Sequence, residues 1–151
     1  GAMNPCPCGN LLNSAKECRC SELEIKRYKG RLSDPFLDRV DINVVMQSIG
    51  SEDRSSYTSS ELHKMVVAAH IFAKKRGQES FNAKLDDTEI DTFCILNNEA
   101  QETLDFAIHR FDLSFRSIKK VQKVGRTIAD LDSSEIIEKK HILEALSYRK
   151  R

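Results

Sequence analysis

Thr58-Ser59-Ser60-Glu61-Leu62-His63-Lys64-Met65-Val66-Val67-Ala68-Ala69-His70-Ile71-Phe72-Ala73-Lys74-Lys75-Arg76-Gly77 reads as one helix from cap to stop. Thr58 and Glu61 have the spacing of a capping box, in which a hydroxyl and a carboxylate each satisfy the other's backbone N–H. Leu62, Met65, Val66, Ala69, Phe72 and Ala73 recur at helical intervals, which predicts one inward apolar stripe. Gly77 can take the left-handed conformation that ends a helix.

The same pattern continues toward the C-terminus. Residues 80–85 connect to a short helix opened by Asp87-Thr88-Glu89 and running through Ile90, Phe93 and Cys94. Asn98 is read as the cap of the next, with Leu104, Ala107, Ile108 and Phe111 inward. Ser114 caps another, with Ile118, Val121, Gly125, Ile128 and Ala129 inward. A last helix is expected from about Glu138 to Tyr148, on Ile142, Leu143 and Leu146. Five helices with short connections make a compact bundle over 58–151, and the fold class is mainly α. The Gly-, Ser- and acid-rich stretch before it reads as a linker over 51–57.

Residues 1–50 read differently. Pro5, Pro7, Gly9 and four cysteines punctuate the first twenty residues, which predicts loop. Ser21 caps a short helix, with Glu24 three residues on. Ser33 or Asp34 caps a second, with Pro35 in its first turn, where a missing N–H costs nothing. That helix would carry Phe36 and Val40 on one face. Asp41-Ile42-Asn43-Val44-Val45-Met46, rich in β-branched residues, reads as a strand.

Composition bounds the function. The 151 residues suit one domain or one and a fraction, with 31% charged and 40% apolar residues placing the chain among globular proteins. A net charge of +1 gives no global field for nucleic acid, so DNA contact needs a local patch. No apolar run is long enough for a membrane span and no secretory signal is present, so the cytoplasm is expected. Cys6-Pro7-Cys8 and Cys18-Arg19-Cys20 are two C-x-C pairs. Four thiolates can close a tetrahedral zinc site of structural type, and four reduced thiols on a loop are the plainer reading. Cys94, on an apolar helix face, is read as core packing. Arg126 is read as a buried or half-buried partner of an acid. His63, His70, His109 and His141 have no metal-ligand spacing and read as surface or internally satisfied groups. Lys119, Lys120 and Lys123 form a small basic face, read first as solvated surface.

Several separate motifs share one order with a known family: Asn4-Pro5-Cys6-Pro7-Cys8-Gly9, Arg31-Leu32-Ser33, Phe36-Leu37-Asp38-Arg39-Val40-Asp41, Leu113-Ser114-Phe115-Arg116, Lys123-Val124-Gly125-Arg126-Thr127-Ile128-Ala129-Asp130-Leu131 and Glu144-Ala145-Leu146-Ser147-Tyr148-Arg149. Together they resemble the magnesium-chelatase-like AAA+ ATPases, in the ComM/YifB branch. The resemblance implies that residues 1–50 are the last segment of an α/β ATPase core with a cysteine-rich loop. It implies that 58–151 are the helical lid, and that the chain is about the last third of such a protein. Phe115, Asp34 and Gly125 depart from the family's usual small residue, glycine and alanine.

The resemblance also implies roles. Asn4 falls at the sensor-1 position, where an amide helps orient the water attacking ATP; by itself it is a loop asparagine before proline. Arg39 falls at the arginine finger, which reaches ATP held by a neighbouring subunit. Its plain alternative is a surface ion pair with Asp38 or Asp41, and Arg31 is the second candidate for the finger. Arg116 falls at the sensor-2 position that contacts nucleotide. Its place in a first helical turn, where the helix dipole disfavours a cation, independently suggests an anion there. The chain has no G-x-x-x-x-G-K-[ST] loop and no acidic Walker-B strand, so it cannot hold ATP and Mg²⁺ by itself. The implied whole is a hexameric ring that spends ATP on DNA remodelling, as a helicase or in branch migration during natural transformation. A rival is a zinc-stabilised helical module that binds DNA or protein without ATPase activity, using Lys16, Arg19, Lys26, Arg27, Lys29 and Arg31. Metal insertion into a tetrapyrrole finds no supporting site.

Overall fold

The computed structural model describes residues 1–13, 15–46, 49–50 and 52–149. Ser51 of the expected linker, and Lys150 and Arg151 of the expected helical domain, lie outside the described residues. The chain divides into two compact units, Gly1–Arg54 and Ser55–Arg151.

The second unit is all helix. It comprises α3 (Ser59–Lys75), a single 3₁₀ turn (Asn82–Lys84), α4 (Asp87–Phe93), α5 (Asn98–Phe111), α6 (Phe115–Leu131) and α7 (Lys139–Ser147). Local chemistry sets each start. Thr58–Glu61 and Asp86–Glu89 both form complete capping boxes, while Asn97 and Ser114 cap α5 and α6. α4 opens at Asp87 as the sequence suggests, while the cap of α5 is Asn97 and not Asn98, a shift of one that periodicity does not resolve. Gly77, at φ 83°, ends α3, with its own N–H and that of Gln78 turned back onto the carbonyls of Lys74 and Ala73.

α6 is the centre of the unit, packed against α3, α4, α7 and the 3₁₀ turn. Its Val121 and Ala129 join Leu85, Ile90, Cys94, Ala100, Leu104, Ile137, Ile142 and Ala145 in one continuous core. Gly125 lies in the middle of α6, where an added Cβ would sit 3.2 Å from Ile142 Cδ1 and 3.6 Å from Ile137 Cγ2. Gly125→Ala is expected to stabilise the unit by less than about 1 kcal/mol, the helix-propensity gain being partly offset by that contact. A measured loss in chemical denaturation would mean that Ile142 cannot give way.

The expected stripe on α3 is only partly used. Ala73 is buried and Ala69 and Phe72 are half-buried, whereas Leu62, Met65 and Val66 are exposed, Val66 to 61%. Burial on α3 is confined to its last turns. Phe111 and Leu143, also read as inward, are exposed.

A polar network fixes the end of α3. The buried Asp130 carboxylate accepts from Arg76 Nη1 at 2.8 Å, Arg126 Nε at 3.1 Å and Asn82 Nδ2 at 2.8 Å. Gln78 accepts from Arg76 Nη2 and donates to Asn82 Oδ1. Arg126 also donates to the carbonyls of Ser134 and Glu135, tying down the segment after α6. That segment then meets the one before α5 in a parallel bridge, Leu96 to Ile137. His141 is buried and satisfied. Its Nδ1 accepts the Glu138 N–H, which leaves the proton on Nε2 to face Asp132 at 3.2 Å. Lys140 and His141 together hold the Asp132 carboxyl below its usual range.

The first unit has two short helices, α1 (Glu22–Lys29) and α2 (Asp34–Leu37). Ser21 and Glu24 form the expected capping box, and Ser33 is the cap of α2, with Pro35 inside its first turn. α2 stops at Leu37, so Val40 lies beyond it. The strand expected at 41–46 is not formed. Ile42, Val44, Val45 and Met46 are exposed, and no segment among the described residues offers the ladder that β-branched residues need. Among the described residues there is no strand, so the α/β character inferred for 1–50 is not visible in the chain itself. No helix among the described residues is long and apolar enough to cross a membrane.

Candidate functional site

The two C-x-C pairs, separated along the loop, converge. Gly9, at φ 79°, closes a turn by donating its N–H to the Cys6 carbonyl at 3.0 Å, which folds Cys8 back toward Cys6. Cys20 directly precedes Ser21, so the capping box of α1 fixes the other pair at the start of a helix. The Sγ atoms of Cys6 and Cys8 are 3.4 Å apart, and that of Cys18 lies 3.7 Å from each. All four sulfurs, Cys20 included, lie within 4.8 Å of one another. None is disulfide-bonded. Cys6 is buried, Cys18 and Cys20 are half-buried and Cys8 is exposed.

These sulfurs do not hold charge equally. The backbone N–H groups of Asn10 and Arg19, with help from the Cys6 thiol, bring Cys8 down to about 6. The Cys8 backbone favours the Cys20 thiolate, but desolvation and the neighbouring sulfurs outweigh it and push Cys20 up to about 12. Cys18 is raised as well: a Cys20 backbone contact pulls it down, and desolvation and the neighbouring thiols overcome that pull. Negative charge is therefore favoured on Cys8 over Cys18 and Cys20, as repulsion between adjacent charges requires.

Beside the cluster, Pro7 and the face of α1 enclose a shallow groove of about 380 Å³, lined also by Glu24, Arg27, Tyr28 and Arg31. The Arg31 guanidinium lies over the Tyr28 ring, 5.7 Å from its centre. Sequence reasoning noted these cations but missed the groove. Its only sequence signal is the closeness of Arg27, Tyr28 and Arg31, which the end of α1 and the turn after it bring together, the Arg31 N–H donating to the Tyr28 carbonyl.

The remaining candidates stand in both units. Asn4 and Arg39 are exposed in the first. Arg39 folds back on α2, its Nη1 donating to the Pro35 carbonyl at 2.7 Å, which holds one prong of a fork that has further donors. Arg31 is turned onto Tyr28, a different engagement from that of Arg39. Arg116 is exposed in the first turn of α6 in the second unit, and that turn contains no acidic residue. Arg126, in contrast, is enclosed by Asp130 and two carbonyls, as a structural partner of an acid should be. Burial lowers its pKa and Asp130 opposes that shift. Cys94 is buried in the core, and desolvation pushes its thiol up to about 11, so it is inert packing.

Comparison with known proteins follows the same division. The family profile described as magnesium chelatase, subunit ChlI C-terminal, matches residues 56–149, and that of magnesium chelatase, subunit ChlI, matches residues 1–54. The uncharacterized protein YifB of Escherichia coli K12 is 38% identical across 98% of this chain, and competence protein ComM of Haemophilus influenzae is 34% identical across 98%. A relative from Mycobacterium tuberculosis is 29% identical over the same share. The chain spans 30% of the length of each of these relatives. It belongs to the magnesium chelatase ChlI family, in the branch that contains YifB and ComM.

Proposed function

We propose that this chain is the lid and the adjoining core segment of a hexameric, cytoplasmic AAA+ ATPase that couples ATP hydrolysis to DNA remodelling, such as branch migration in natural transformation. The observation that carries this reading is similarity across 98% of the chain to a competence protein, with two magnesium chelatase profiles in consecutive order. The phosphate loop and the Mg²⁺-holding acid are supplied by sequence outside these 151 residues. Within them, Asn4 offers an amide that can both accept from and donate to the attacking water. Arg39 offers a guanidinium to the ATP of a neighbouring subunit, and Arg116 meets the phosphates of its own. An anion beside Arg116 would relieve the conflict between that cation and the positive end of α6.

The test is ATP hydrolysis by the intact protein, with and without branched DNA. Arg116→Ala is expected to lower hydrolysis by about 10²-fold, the scale of losing one donor to developing charge. An intact protein that hydrolyses no ATP overturns the reading. One observation favours the second reading, a nucleic-acid-binding module without ATPase function. The groove of Arg27, Tyr28 and Arg31 combines cations with an aromatic face, as single-stranded nucleic acid requires. Loss of DNA binding on Arg27→Ala and Arg31→Ala, in a protein lacking ATPase activity, would select it.

A further inference from the structure

We propose that Cys6, Cys8, Cys18 and Cys20 bind a single zinc ion, and that this ion, in place of an apolar core, organises the first unit. The inference is independent of any ATPase role.

Geometry comes first. A zinc ion with sulfur ligands at about 2.3 Å in a tetrahedron separates the sulfurs by about 3.8 Å. The closest separations here are 3.4, 3.7 and 3.7 Å, with the whole set inside 4.8 Å. Four sulfurs this close surround one ion, whereas the bridging atoms of an iron–sulfur cluster would hold them farther apart. All four donors are sulfur, which selects a thiophilic metal over magnesium or calcium. Four protein ligands also close the coordination sphere, so the ion serves structure and leaves no position for substrate.

Burial supplies the second observation. Among the described residues of Gly1–Arg54, Cys6 is the one buried side chain. Met3, Leu12, Leu23, Phe36 and Ile42 are all exposed, so apolar packing does not explain the turn at Cys6 or the approach of the second pair. A metal does explain it, because ligands that converge only in the folded state convert binding energy into folding energy. Zinc with four thiolates carries a net negative charge, and Lys16 and Arg19 stand in the same loop to offset it. The ion would fasten the start of α1 to the turn that carries Pro7, and so hold both walls of the Arg27–Tyr28–Arg31 groove.

The test uses the whole chain purified without chelator. Metal analysis is expected to give about one zinc per chain. Replacement of that zinc by Co²⁺ should give the strong visible absorption of a tetrahedral thiolate site. A variant with all four cysteines changed to serine should lose the metal while keeping its helical circular dichroism, and Cys94→Ser should keep it. On removal of zinc, amide protection should fall in residues 1–31 and persist in residues 59–149. A chain that holds no zinc and takes up no tetrahedral Co²⁺ overturns the proposal. So does iron found in place of zinc, zinc retained by the four-serine variant, or unchanged protection of residues 1–31 after metal removal.

Discussion

Replacing Arg39 with alanine is expected to leave ATP binding by the intact protein nearly unchanged while hydrolysis falls by about 10³–10⁵-fold. On the proposed function, binding should survive because each subunit's own phosphate loop would hold its nucleotide. Hydrolysis should fail because charge developing on the transferred phosphoryl group would lose its proposed partner across the interface. The Arg39 guanidinium suits that reach. It is exposed, and one nitrogen is anchored to the Pro35 carbonyl at the base of α2, which limits the rotamer freedom lost on engagement. Mixing Arg39→Ala subunits with subunits disabled in the phosphate loop provides the decisive measurement. Mixed rings contain interfaces where an intact loop meets an intact finger, so activity should partly return. No recovery despite co-assembly would place Arg39 in its own subunit's structure. The same mixing with Arg116→Ala should rescue little, since no subunit would then combine a competent loop with its own intact lid.

Asp130→Ala is expected to destabilise the helical unit by about 3–5 kcal/mol, the scale of breaking a buried ion pair from one side. Asp130 is 2% exposed and faces Arg76 and Arg126, the latter fully enclosed. Without the carboxylate, two guanidinium groups confront each other and Asn82 loses an acceptor. Arg126→Met should cost less, because Arg76 and Asn82 still satisfy Asp130, although the carbonyls of Ser134 and Glu135 lose their donor. Denaturant titration followed by circular dichroism measures both. A loss below about 1 kcal/mol for Asp130→Ala would show that water or a side-chain shift replaces the pair.

Local chemistry was the most legible part of the fold. Ser21–Glu24 and Thr58–Glu61 are boxes whose partners lie three residues apart, so nothing distant is needed to recognise them. Periodicity told which face of α3 is apolar but not what would cover it, and Leu62, Met65 and Val66 remain exposed. The residues at 41–46 show the same gap for strands, since β-branched composition cannot supply a partner. In the cysteine loop, spacing suggested a metal, while the convergence of the two pairs depends on the turn at Gly9 and the cap at Ser21. Arg126 was readable as needing an acid. That the acid is Asp130, shared with an arginine from α3, required the packing of two helices distant in sequence.

The parallel bridge between Leu96 and Ile137 bears on how quickly the helical unit assembles. Asn97 donates its N–H to the Ile137 carbonyl at 3.0 Å, and Ile137 donates to Ile95 at 2.8 Å. All of α5 and α6 lies between the two segments, so these hydrogen bonds close a long loop, as the packing of α3 on α6 also does. Ile137 is fully buried, and the core is incomplete until it docks. Helices can form in about a microsecond, but closing the bridge must first overcome the entropy of the intervening chain. The unit should therefore fold more slowly than an up-and-down bundle of its size, with the docking of α7 onto α5 and α6 as the late step.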